Sequence, residues 1–91
     1  MKEIKQLREK LDEIDIEILE LLMERMDIVK RIGLIKKRQN LPIIDKDREE
    51  EVYDNATKFA LKHDLDSIQI KSIFREIVIL SKKVQNELLN H

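Results

Sequence analysis

Two cations and two polar side chains interrupt an otherwise regular helical pattern. Arg25 occupies a heptad position that should be apolar, and Lys36 follows eleven residues later. Eleven residues make close to three helical turns, so both side chains share a face, with Cα atoms roughly 16 Å apart. Val29 and Ile32 lie between them on that face. Two long cationic side chains can close on a small anion lying over such an apolar floor. A guanidinium in a buried seam costs several kcal/mol unless it finds an anion. The competing assignments are structural: Arg25 pairs with a carboxylate or sits at a wet edge of the core, and Lys36 is a solvated lysine near a helix end.

Ser81 and Gln85 are four residues apart beside the apolar stripe of Val78 and Val84. A buried hydroxyl and amide need hydrogen-bond partners. The plain alternative is a Ser81 bond to its own helix backbone and a Gln85 at a rim. Lys82 and Lys83 read as solvated. The stretch LPIIDKDREEE, from Leu41 to Glu51, holds the only proline and then a dense group of charges. Asp45, Arg48 and Glu49 there can form a pocket wall at a helix N-terminus, whose free amide groups attract anions or accepting oxygens. Glu49 can accept a hydrogen bond from a ligand hydroxyl, while Arg48 adds positive charge and can brace Glu49 or touch a carboxylate. Ordinary capping and surface salt bridges are the alternative. His63 and His91 fall at a turn and at the C-terminus without metal-ligand spacing, so no metal or cofactor is implied.

These residues must be held by helices. Ile4, Leu11, Ile18 and Ile32 fall on one heptad position, and Leu7, Ile14, Leu21, Ile28 and Ile35 on the other. The seam predicts a helix to about residue 38. Gly33 is its one weak helix former, at roughly 1 kcal/mol. Asn40, Leu41 and Pro42 end it, because proline disfavours helical geometry in the residue before it. A second helix starts near Asp45, which can cap it with Asp47 as the alternative, and ends near His63. Asp66 and Gln69 read as a capping box for a third helix reaching about residue 88. A helix of about 37 residues spans roughly 55 Å, whereas helices of about 17 and 22 residues span roughly 25 and 33 Å. The shorter two cannot cover the long one, which predicts a homodimer with the long helices paired antiparallel. If they cross near residue 19 or 20, Arg8 of the partner subunit lands near residue 31, between Arg25 and Lys36. Within one chain Arg8 lies roughly 25 Å from Arg25 and points about 100° away. Its alternative is a surface pair with Asp12.

Composition bounds the rest. A chain of 91 residues suggests a single domain, residues 1–91, too small to bury a large core alone. Charged residues make up 41 % and aromatics 3 %, with one Gly and one Pro, which points to long helices. With 18 basic and 19 acidic residues the net charge is −1, which argues against general nucleic-acid or anionic-membrane binding. Without cysteine there is no disulfide or thiolate chemistry. No apolar stretch resembles a signal peptide or membrane span, so a soluble cytoplasmic protein is expected.

The segments LREKLDEIDIEILELLMER, IGLIK, DKDRE and LSKKVQ, taken in order, resemble the all-helical chorismate mutase family from Leu7 to Gln85 without a gap. The resemblance implies an all-α intertwined homodimer of three-helix chains with two equivalent active sites. It implies rearrangement of chorismate to prephenate, the step toward phenylalanine and tyrosine, with no cofactor. By that resemblance Arg25, and Arg8 from the other chain, bind carboxylates. Lys36 contacts the ether oxygen and a carboxylate, and Gln85 is the second donor to that oxygen. Ser81 helps hold a carboxylate. The Asp45 backbone and Glu49 bind the ring hydroxyl, with Arg48 alongside. Some members are fused to prephenate dehydratase or dehydrogenase domains; a chain ending at His91 reads as monofunctional. The rival with the same fold is an isochorismate pyruvate lyase. The rival of another class is a non-catalytic helical dimerisation module, against which the Arg25 and Ser81–Gln85 intrusions speak.

Overall fold

The computed structural model describes residues 1–89, so His91 lies outside them. The fold is all-α: α1 runs Lys2–Arg38, α2 Lys46–Lys62 and α3 Ser67–Leu89. The three helices match the sequence expectation to within about two residues at each end, the usual uncertainty of a helix boundary.

Each break has a local cause. At the end of α1, Asn40 takes a left-handed conformation at φ 55°. The Leu41 amide then donates to Lys36 O at 2.8 Å and the Asn40 amide to Lys37 O at 3.4 Å. This is a Schellman ending, and asparagine tolerates its positive φ better than most residues. Asn40 therefore closes the helix, and Pro42 follows the closure rather than causing it. Asp64, also at φ 55°, ends α2 in the same way, with Leu65 N donating to Ala60 O at 2.9 Å. Asp45 caps α2 by accepting from Arg48 N at 3.1 Å. Asp66 caps α3 by accepting from Ile68 N and Gln69 N at 3.0 and 3.1 Å.

Helix α3 packs between the other two. It runs parallel to α1: Arg25 meets Ser81, Val29 meets Gln85, and Lys37 reaches Leu88. Helix α2 returns antiparallel. Gly33 has a packing role here, since a Cβ on it would lie 3.1 Å from Leu88 Cδ1 and 3.2 Å from Gln85 Cγ. The residue that weakens the helix lets α3, and Gln85 with it, come close.

The buried apolar residues are Met26, Val29, Ala56, Ala60 and Val78, a small core even for this length. All lie around the C-terminal half of α1 and the two shorter helices. From Met1 to Leu21 every residue of α1 is exposed. The molecule measures 56 × 29 × 14 Å, a thin plank as long as its longest helix. Ile4, Leu7, Leu11, Ile14, Ile18 and Leu21 all stay about half exposed or more along it. Where α1 meets α3, Ile18, Leu21, Leu22, Ile73, Phe74 and Ile77 line an open apolar groove. No helix among the described residues is long and apolar enough to cross a membrane.

Replacing Gly33 with valine inserts branched carbon into the α1–α3 contact, an overpacking cost of about 1–3 kcal/mol. A Gly33→Val variant should melt several degrees below wild type. An unchanged Tm would show that α3 does not depend on this close approach.

Candidate active site

All three helices meet around a cleft of about 210 Å³. Helix α1 gives it Arg25 over a floor of Ile28, Val29 and Ile32; the turn gives Ile43 and Asp45. Helix α2 contributes Arg48, Glu49 and Val52, and α3 contributes Val78, Ser81, Lys82 and Gln85. The cleft thus has an apolar floor and a charged rim. Its α3 residues recur at i, i+3, i+4 and i+7, one helical face.

Arg25 dominates the electrostatics. Its Nη1 donates to Ser81 Oγ, and Ser81 in turn donates to Ile77 O at 2.9 Å. The plain alternative for Ser81 is therefore met, since the hydroxyl bonds its own helix, and it also accepts from the Arg25 cation. Among the described residues no carboxylate comes within ion-pairing distance of Arg25. Burial, and after it the positive charge of Arg48, holds the Arg25 pKa below its ordinary value. The protein keeps a half-buried cation near a second cation, an arrangement relieved by an anionic guest.

Gln85 is buried and Lys36 touches it. Lys36 Nζ donates to Gln85 Oε1 at 3.4 Å and to Ile43 O at 2.9 Å. Gln85 Nε2 donates to Val29 O at 3.4 Å. An amide nitrogen carries two hydrogens, so one remains for a ligand. Lys36 itself stands beside the cleft, on an adjoining groove with Leu41, Pro42 and Asp45.

The α2 wall differs from the sequence expectation in one respect. Arg48 does not brace Glu49. It is exposed and lies 3.6 Å from Glu51, one turn along α2. The brace on Glu49 comes from α3, where Lys82 Nζ lies 2.8 Å from Glu49 Oε1. Adjacent helical residues point about 100° apart, so Glu49 faces α3 while Arg48 does not follow it. Lys82, expected in solvent, lines the cleft instead, and contact with Glu49 pushes its pKa up. Its position four residues after Val78 and three before Gln85 was the signal. Glu49 Oε1 is buried, and the Lys82 ammonium is the group that lies against it.

Asp45 lines the cleft while its side chain serves the α2 cap. Seven of the expected residues therefore gather in one place: Arg25, Lys36, Asp45, Arg48, Glu49, Ser81 and Gln85. Arg8 does not join them. It is exposed on the open half of α1, and no ion pair with Asp12 forms.

The profile of the family chorismate mutase type II matches residues 7–86. A chorismate mutase of Methanocaldococcus jannaschii is 36% identical, over 98% of this chain and 90% of that protein. A 4-amino-4-deoxychorismate mutase of Streptomyces pristinaespiralis is 28% identical, over 89% of this chain and 63% of that protein. Among solved structures, a conserved hypothetical protein from Pyrococcus furiosus superposes with a TM-score of 0.77 and 41% identity, covering 93% of this chain and 97% of that one.

The charge arrangement makes a prediction that needs no substrate. Small dicarboxylates should raise the melting temperature of the wild type, because they bind the folded state alone. Arg25→Ala should melt at or above the wild-type temperature without anion, and should lose most of the anion-induced shift. A variant that keeps the full shift would remove Arg25 from the anion site.

Proposed function

The chain belongs to the chorismate mutase type II family, and from that premise we infer how its cleft turns chorismate into prephenate. The reaction is an isomerisation within one molecule. The ether C–O bond breaks while a C–C bond forms between the enolpyruvyl group and the ring, and no proton, electron or group passes to the protein. The protein's task is to hold a folded, chair-like dianion with the two carbons in bonding reach. It must also stabilise the negative charge that grows on the ether oxygen.

The observation that carries the site assignment is Arg25, a cation facing another cation over an apolar floor without a carboxylate. In our reading it binds a substrate carboxylate, with Ser81 orienting the guanidinium and Arg48 adding charge. Lys36 and Gln85 serve the ether oxygen. Their 3.4 Å contact supports this pairing, because it sets the Lys36 ammonium beside the Gln85 amide, whose Nε2 keeps one hydrogen for a ligand. Both interactions strengthen as the C–O bond breaks, which is the condition for raising kcat. The Gln85 amide donates without having to gain a proton. Glu49 accepts from the hydroxyl at ring carbon 4, helped by the Asp45 backbone. That carbon is also where chorismate differs from 4-amino-4-deoxychorismate.

The second carboxylate requires a further cation, and Arg8 of the partner subunit supplies it. Two features support an intertwined dimer: the half-exposed apolar seam of α1 and the apolar groove at its junction with α3. Closed two-fold pairing brings each α1 across the other and gives two equivalent sites. An antiparallel crossing near residue 19 or 20 carries Arg8 toward the Arg25–Lys36 face.

Ultraviolet assays offering chorismate and isochorismate separately should give prephenate from the first and no pyruvate from the second. Pyruvate release without prephenate would overturn this function in favour of a lyase. Lys36→Ala should fold normally and lose about 10²–10³ in kcat, as expected for one donor at a developing oxyanion. Wild-type kcat in that variant would remove Lys36 from the ether oxygen.

A further inference from the structure

The Lys82–Glu49 pair has no counterpart in the expected site. Glu49 and Asp45 are the acidic residues lining the cleft, and Asp45 spends its side chain on the α2 cap. Glu49 is therefore the carboxylate free to meet a ligand. Its buried Oε1 holds the Lys82 ammonium at 2.8 Å, while the side chain as a whole stays 21 % exposed, so the other carboxylate oxygen is the one left to accept a ligand hydrogen bond. The pair joins α2 to α3 across the mouth of the cleft. Lys82 is a cleft-lining residue with a side chain 38 % exposed, so the pair lies at the edge of water, within reach of the guest.

We propose that Lys82 determines specificity, setting the choice between a neutral and a cationic substituent at ring carbon 4. This rests on the reading that Glu49 faces that substituent. A hydroxyl is neutral and asks only for an acceptor, which Glu49 still provides beside its lysine. An amino group at the same carbon is a primary amine, largely protonated near neutral pH. Facing an unaccompanied carboxylate, such an ammonium would form an ion pair and bind well. Facing Glu49 with Lys82 already on it, the ammonium meets a neutralised acid and a like charge at short range. Discrimination then comes from a repulsive element built into the site, in addition to the contacts that favour the hydroxyl. The same lysine keeps Glu49 from repelling the substrate's two carboxylates, so one residue favours the dianion and disfavours its amino analogue.

The test compares kcat/KM for chorismate and 4-amino-4-deoxychorismate in wild type, Lys82→Met, Lys82→Gln and Lys82→Arg. The wild type should prefer chorismate. Both neutral variants should shift the ratio toward the amino substrate by about tenfold or more, within the range one polar contact gives in substrate choice. Lys82→Arg should restore the wild-type ratio, since the charge is kept. A general disturbance of packing would lower both substrates alike and leave the ratio still. An unmoved ratio in Lys82→Met and Lys82→Gln overturns the role of Lys82 while the mutase reading stands. A wild type that turns over neither substrate overturns both.

Discussion

A guanidinium that finds no carboxylate among the described residues governs this structure. Arg25 interrupts a heptad that would be more stable with leucine there. It is half-buried, bonded to Ser81, and near Arg48, so two positive charges line the one cleft. The neighbouring residues follow from keeping that cation aimed inward. Ser81 fixes the guanidinium by accepting from it while tied to Ile77. Gly33 lets α3 approach closely enough for Gln85 to sit under α1. Asp45 starts α2 so that its first turn forms the opposite wall. In the proposed site, stability given up at one seam position is returned when a dianion binds.

The same division runs through the whole chain. One half of α1 packs on α3 and builds a site; the other half, Met1 to Leu21, stays exposed throughout. Five buried apolar residues among those described make a small core for such a chain. In the proposed dimer that deficit has a catalytic use, because the helix that seeks cover also carries Arg8. Folding and activity then depend on the same pairing event, and a small chain reaches a site richer in cations than one protomer can assemble. A pericyclic reaction suits this economy. It requires no nucleophile or proton relay, only charge and shape held in place.

Much of this could be read from the sequence because helices translate spacing into direction. Arg25 and Lys36 share a face, and so do Ser81 and Gln85, and the structure brings the two pairs together across α1 and α3. Asp45 and Asp66 were readable as caps, since their neighbours carried the pattern of a helix start. Side-chain partners across helices were less readable. Arg48 and Glu49 are adjacent in sequence yet turn to different neighbours, Glu51 and Lys82. Which lysine of the Lys82–Lys83 pair faces inward depends on the rotation of α3, which the spacing to Val78 and Gln85 gives and the charge of the two lysines does not. Asn40 was overshadowed by Pro42, although a left-handed closure suits asparagine and needs no proline.

The claim that two subunits build each site is tested most directly by mixing two inactive variants, Arg8→Ala and Arg25→Ala. In a mixed dimer one site carries both substitutions and the other carries neither. Random subunit exchange at equal amounts should restore about a quarter of wild-type activity, the share expected for a two-fold dimer with shared sites. A mixture that stays no more active than its components would mean that each site draws both arginines from a single chain, and the shared-site account would fail.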